Sequence, residues 1–310
     1  MHWILTVSDS FSLAQVIQRS QWLLHPPFGV SRSQENLTRV ERLSTRHTIT
    51  LTISQVPAGL ILRTNERLTG RETEEVSHKT WRMLRLGEDL QPFLETAKHT
   101  PGLKSVFRCG GLLLRGTTFF EDVVKAIILT QEAEQWHAQR ISWIVDRFGD
   151  PLPSNPTLHA FPIPYQLLWG RQPLGEMLGP ALADSLVKTA EAFCMQADQI
   201  DALIQADLSL DTLEANLKEL LGLNDEVMGL MMLSLGRYDY IPVDQCAQQR
   251  VSQYWHDGGS VRPEDVRAAF APLQPWGGLG YWLWDWREAG NPVESELGND
   301  GKLENRCRAS

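Results

Sequence analysis

At 310 residues, 42% hydrophobic and 22% charged, the chain is long enough for two or three subdomains around a large core. Its four cysteines, at 109, 194, 246 and 307, form no CxxC pair, which excludes a small disulfide scaffold and makes reduced thiols in a cytoplasmic setting the expectation. The net charge of −9 is unevenly spread, +5 over residues 1–120 and −14 over residues 121–310, so a phosphate backbone would meet the wrong average sign in the second part.

In chain order, residues 2–7 read as a short strand and 11–24 as a helix with Leu13, Val16, Ile17, Leu23 and Leu24 on its apolar face. His25-Pro26-Pro27-Phe28-Gly29 reads as a loop. Residues 37–43, 47–53 and 59–63 alternate as antiparallel strands do, with a turn at Pro57-Ala58-Gly59. From Arg71 the pattern is helical almost to the end. The Pro-rich stretch 151–164 reads as a surface connection, and 294–310 as a polar, frayed tail. No leader-like segment precedes residue 14, and no apolar run approaches the roughly 18 residues of a membrane span. The eight histidines show no HxxxH or HExxH spacing, so neither a metal nor another cofactor is expected. Gly277-Gly278-Leu279-Gly280 lacks the preceding strand of a nucleotide-binding loop.

Residues 217–244, LKELLGLNDEVMGLMMLSLGRYDYIPVD, read as the organising stretch. Leu213, Leu217, Leu220 and Leu221 recur at helical spacing and Gly222 ends that helix. Asn224 is a residue type that tolerates left-handed backbone. A second helix opens with Asp225 and Glu226 against its positive end. It is apolar on most sides, which predicts a buried rod. Pro242 stops it, and Asp244 stands just before a further helical run, QCAQQRVSQYW.

At these residues the chain resembles the helix-hairpin-helix DNA glycosylases, the superfamily of alkyladenine and 8-oxoguanine glycosylases. LLGLND stands for the hairpin and Ile241-Pro242-Val243-Asp244 for the loop that carries the catalytic aspartate. Gly111 to Gly116, followed by FFEDVVKAIILTQ, is similar to a second block of the family. The resemblance spans about residues 11–287. It implies an α+β fold, with an N-terminal antiparallel sheet layer and helices over 1–100. Two mostly helical lobes follow, 112–235 with the hairpin and 101–111 plus 236–290, then the tail 291–310, with the lesion pocket between the lobes. It also implies a partner class, double-stranded DNA containing a damaged base, bound by a monomer.

Each residue carries two readings. A carboxylate at Asp244 would stabilise the positive charge that builds on the sugar as an N-glycosidic bond breaks, or activate the attacking water. It would equally serve as a helix N-cap. Bifunctional relatives place a Schiff-base lysine where Glu226 stands. A carboxylate forms no imine, so the resemblance implies hydrolysis without a lyase step. Glu226 could pair with Asp244, or simply suit the helix dipole. The hairpin residues Gly222, Leu223, Asn224 and Asp225 would face a phosphate through backbone N–H groups, although the adjacent carboxylates oppose it. Gln131 and Glu132 would fill the gap left by a flipped base, or are a polar helix end. Lys125 reads as a side chain reaching the surface. Trp282 and Trp286, in a late cluster with Trp276, Tyr281 and Trp284, would line a base pocket or belong to the core. The favoured function is monofunctional excision of an alkylated or oxidised base. The rivals are a glycosylase fold that lost catalysis and serves as a binding module, and a hydrolase of nucleoside-like small molecules.

Overall fold

The computed structural model describes residues 1–8, 11–19, 25–31, 36–104, 106 and 115–286; the block at Gly111–Leu114 and the tail 291–310 singled out in the sequence lie outside them. Strands β1 (His2–Leu5), β2 (Phe28–Ser31), β3 (Asn36–Arg42), β4 (Thr48–Val56) and β5 (Gly59–Thr64) form an antiparallel sheet in the order β1-β5-β4-β3-β2. A separate pair, β6 (Pro151–Leu152) and β7 (Asn155–His159), lies in the stretch expected to be only a connection. The helices are α1 (Leu13–Arg19), α2 (Gly70–Met83), α3 (Gln91–Lys98), α4 (Phe119–Gln131), α5 (Glu134–Phe148), α6 (Pro164–Leu168) and α7 (Arg171–Leu178). They continue with α8 (Pro180–Met195), α9 (Ala197–Gln205), α10 (Leu210–Leu221), α11 (Asp225–Ser234), α12 (Gln245–Trp255), α13 (Pro263–Phe270) and α14 (Gly277–Leu283). The fold is α+β, as expected. Among the described residues no helix is long and apolar enough to cross a membrane.

By their internal contacts the residues divide into two units. The first comprises Met1–Glu88, Leu112–Leu203 and Leu220–Gly222; the second comprises Asp89–Gly111, Ile204–Glu219 and Leu223–Ser310. In the first, period-two alternation places Leu37, Leu51, Ile53, Leu60 and Leu62 of the sheet in one core with Leu13 and Val16 of α1 and Val76 and Met83 of α2. Registry follows from that pattern, with Leu37 opposite Ile53 and Ile53 opposite Leu62. Gly59 closes the β4–β5 turn at φ +132°, and a Cβ there would stand 2.4 Å from the Leu5 carbonyl oxygen. The strand β2 is the main departure, because its first two residues read as loop in the sequence. It is held by β3, with Phe28 opposite Arg39.

Charges are buried where the sheet meets the helices. Arg39 Nε lies 2.8 Å from Glu41 and Arg39 Nη2 lies 3.1 Å from Glu121, while Lys125 and Lys79 approach Glu121 and Glu41 at 2.8 Å each. Lys125 therefore does not reach the surface. It is fully buried, with its ammonium 5.0 Å from the Phe28 ring and 5.5 Å from that of Phe161. The Glu121 opposite it, one turn back on α4, satisfies it internally. Burial pushes the Lys125 pKa down and Glu121 only partly restores it. For Glu121 burial acts upward, yet Arg39 and then Lys125 overcome it and hold the carboxyl at about 2.

His25 is also buried, with Nδ1 unbonded, and burial followed by the positive charge of Lys125 and then His137 lowers its pKa to about 4. The unfolded chain binds a proton at His25 near pH 6.5, whereas the native ring stays neutral until about pH 4. Its contribution is thus intact above about pH 6.5 and is lost as pH falls toward about 4, a loss on the order of 3 kcal/mol. Urea midpoints measured across that window should fall in the wild type and flatten in His25→Phe. An equal slope in both would assign the dependence to other groups.

Candidate active site

The organising stretch begins with α10, whose Leu213 and Leu217 are buried. The chain reverses through three residues. Gly222 takes φ +64°, the left-handed geometry expected of a C-terminal glycine. Leu223 is buried. Asn224 does not use its tolerance of left-handed backbone: at φ −82° it is the N-cap of α11, its Oδ1 accepting the Val227 N–H at 2.9 Å. The unsatisfied N–H groups of a helix start explain the difference, since Asn caps them as well as it tolerates positive φ. Asp225 is exposed and bridges to Lys218 at 2.6 Å, and Lys218 also meets Glu214 at 2.5 Å. One lysine thus offsets part of the acidity of the turn.

The helix α11 is the buried rod that its composition predicts, with Val227, Met228, Gly229, Met231, Met232, Leu233 and Ser234 all inside. Gly236 ends it at φ +80°, and Arg237 N–H donates to the Met232 carbonyl. The loop that follows is clamped by the start of α14. The Gly278 and Leu279 N–H groups both donate to the Tyr238 carbonyl, at 2.7 and 3.3 Å. A Cβ on Gly278 would stand 1.9 Å from the Tyr240 carbonyl oxygen, so only glycine allows this approach. The Gly277-Gly278 pair is therefore a seat for the aspartate loop. On the rod, Gly229 faces Pro242 and Trp282, each 3.4 Å from where its Cβ would be.

Asp244 emerges from this clamp as the N-cap of α12. Its Oδ1 accepts the Ala247 N–H at 2.8 Å, and it is half-buried. No other hydrogen bond reaches its carboxylate among the described residues, which leaves Oδ2 available. Two phenols feel its charge. Burial is the largest cause that raises the Tyr281 pKa to about 12; Arg250 opposes it and Asp244 adds to it. Tyr240 is raised by burial and then by Glu214, which accepts its hydroxyl at 3.1 Å, with Asp225 and Asp244 contributing less. A fixed carboxylate can stabilise a developing cation or take a proton from water. Cys246, in the first turn of α12, is disulfide-bonded, where the scattered cysteines suggest free thiols.

The other candidates fall as follows. Glu226 is half-buried in the first turn of α11, where the helix dipole favours it, and no hydrogen bond joins it to Asp244. Gln131 and Glu132 belong to the first unit, at the end of α4. The Glu132 carboxylate lies 3.7 Å from Arg140 and its carbonyl meets His137 Nε2 at 2.9 Å, so it is engaged within its own unit. Trp282 and Trp286 are partly buried and pack edge-on against Tyr281, with centroids 5.4 and 5.5 Å away. Trp284 rests on Gly102, where a Cβ would come within 2.2 Å of its ring. The sequence does not show that Tyr240 and Tyr281 lie within reach of the Asp244 charge, nor that Arg250 stands over Tyr281 and Trp286. Arg250 carried a signal, being the only cation in QCAQQRVSQYW.

No protein-family model matches the chain. No curated protein sequence matches it either. Solved structures do resemble it. A 3-methyladenine DNA glycosylase from Archaeoglobus fulgidus superposes with a TM-score of 0.71 at 19% identity, covering 92% of this chain and 97% of that one. A structure of MBOgg1 in complex with a low affinity DNA ligand gives 0.66 at 16% identity, over 94% and 96%. The Clostridium acetobutylicum 8-oxoguanine glycosylase/lyase, in complex with double-stranded DNA containing cytosine opposite 8-oxoG, gives 0.58 at 18% identity, over 80% and 85%. The chain shares the fold of these glycosylases along nearly its whole described length.

Proposed function

We propose that the protein is a monofunctional DNA glycosylase that hydrolyses the N-glycosidic bond of an alkylated or oxidised base in duplex DNA, acting as a monomer in the cytoplasm or at the nucleoid. The observation that carries this is Asp244. Its carboxylate is held by a loop that α14 clamps and by one capping bond, with one oxygen left over, in a fold shared with DNA glycosylases. Breaking the C1′–N bond sends its electron pair out with the base and leaves positive charge on the sugar. The Asp244 carboxylate faces that charge, and as water adds to C1′ it accepts the proton released. Glu226 has no amine, so no imine forms and strand cleavage does not follow. The amides at the Gly222–Asn224 turn would face one phosphate, and Gln131 would fill the place of the extruded base.

The rival is a glycosylase fold without catalysis, used as a binding module. The acidic turn of Asp225 and Glu226, within a region carrying −14, favours it. Base release from duplexes carrying alkylated or oxidised bases, with binding measured against salt, decides between them. The enzyme reading expects release, and log affinity falling linearly with log salt at about −0.9 per phosphate contact. Absent release with a flat salt response supports the rival.

A further inference from the structure

We propose that the end of the sheet layer around Arg46, Arg63, Arg67 and Arg71 is a separate DNA-binding surface: it holds the phosphate backbone of a duplex without regard to base, and supplies most of the salt-dependent part of the affinity. The inference goes beyond the glycosylase reading, since it concerns phosphates and holds whether or not a base is released. Residues 42–71 carry five arginines, no lysine and one acidic residue, Glu66. The first of the five, Arg42, is bridged to Asp150. The other four are exposed, and among the described residues none of them pairs with a carboxylate. Arg63 lies on β5, opposite His2 of β1 and Thr52 of β4. Arg67 is in the turn from β5 to α2, and Arg71 is in the first turn of α2. Arg46 stands in the β3–β4 turn. Hydrogen bonds tie these segments together at one end of the sheet. The Thr45 hydroxyl donates to Glu72 at 2.6 Å, His47 Nε2 meets Glu66 at 2.7 Å, and the Thr64 N–H donates to the Met1 carbonyl at 2.9 Å.

The carboxylates that could neutralise this end are largely engaged elsewhere. Glu66 meets His47, Glu72 closes the α2 capping box, and Glu75 is held by Ser44 and Lys79, which leaves Glu74 exposed on α2. An exposed guanidinium without a counter-charge suits a phosphate, whose oxygens match its planar fork. The sheet adds hydroxyls. Thr38 lies opposite Thr52, and Thr52 opposite Arg63, so that Thr38, Thr52, Arg63 and His2 make one row across four strands. That row is on the face turned away from the Leu37, Leu51 and Leu62 core. Arginine and threonine side chains are the usual contacts to DNA phosphates, and they carry no base preference. A second observation points the same way. The Gly222–Asn224 turn is followed by Asp225 and Glu226, and residues 121–310 carry −14, so that region gives little counterion release. The positive charge that a phosphate backbone requires lies in the sheet end. An anionic membrane is the rival polyanion. Peripheral membrane contact uses an amphipathic helix with large apolar side chains, whereas these arginines stand on a strand, two turns and a helix start.

The test measures binding of the full chain to a short undamaged duplex by fluorescence anisotropy over a range of salt. The variant carrying Arg46→Gln, Arg63→Gln, Arg67→Gln and Arg71→Gln should lose about 3–4 from the slope of log affinity against log salt, at about 0.9 for each contact removed. A control carrying Arg147→Gln, Lys188→Gln and Arg267→Gln removes exposed cations elsewhere and should lose less than about 1. Both variants should melt within a few degrees of the wild type, because surface substitutions change stability little. Base release from damaged duplexes, measured on the same proteins, separates this surface from the catalytic reading. A fourfold variant whose slope matches that of the control overturns the surface, and persisting base release then leaves the glycosylase reading intact. The expected loss of slope in a chain that releases no base supports the surface and overturns the glycosylase reading. Binding to anionic phospholipid vesicles with none to the duplex makes the occupant a membrane and overturns the proposal. No duplex binding by the wild type overturns the proposal and the glycosylase reading together.

Discussion

Asp244→Asn is expected to abolish measurable base release while leaving the protein folded. A positioned general base or electrostatic carboxylate contributes about 10²–10⁴ in rate, and asparagine can neither accept the water's proton nor oppose the charge on the sugar. The same substitution spares the structure, because the amide oxygen of asparagine accepts the Ala247 N–H as the carboxylate does, and the two residues cap helices equally well. Asp244→Ala separates the two roles. It removes both, costing about 1 kcal/mol of stability in addition to activity. Thermal melting of the three proteins beside their release rates gives the answer. A variant asparagine enzyme as active as the wild type would show that Asp244 is a cap and nothing more.

The second large effect lies in the sheet unit. Glu121→Ala should destabilise by about 3–5 kcal/mol, because it strips the counter-charge from Arg39 and Lys125 in a site that water does not reach. Lys125→Met should cost less. Glu121 keeps Arg39 at 3.1 Å and the Thr117 N–H, also at 3.1 Å, so no charge is left wholly uncompensated. The double variant Glu121→Gln, Lys125→Met should lose less than the sum of its parts, since each change removes the reason the other is costly. Chemical denaturation of the series measures this. Strictly additive losses would mean that the two side chains are held by their surroundings and not by each other. The pH dependence has a definite sign. Glu121 is held at about 2, below its ordinary value, so its contribution is complete above about pH 4.5 and is lost as pH falls toward about 2.

Much of the architecture is legible in the amino-acid sequence. Alternation at Thr48 to Ile53 announced a strand, because a half-buried strand repeats every two residues. The apolar circumference of Val227 to Leu235 announces a rod buried on most sides. Gly222 marks where α10 ends through its own backbone limits, and Asp244 suits a helix start by residue type, whereas α11 ends at Gly236, before the Pro242 that the sequence offers as its stop. All of these are local: each follows from a period or from the chemistry of one residue.

What needed the tertiary structure is every statement about what those residues meet. Lys125 reads as surface-seeking by itself and is buried because Glu121, Phe28 and Phe161 happen to converge on it. Gly277-Gly278 reads as a failed nucleotide loop and is a clamp, because the Tyr240 carbonyl passes where a side chain would be. Arg250 reads as one more polar residue on an amphipathic helix and stands over Tyr281 and Trp286, which lie far along the chain. Buried electrostatics and close backbone approach depend on groups distant in sequence, and no periodicity encodes the distance between them.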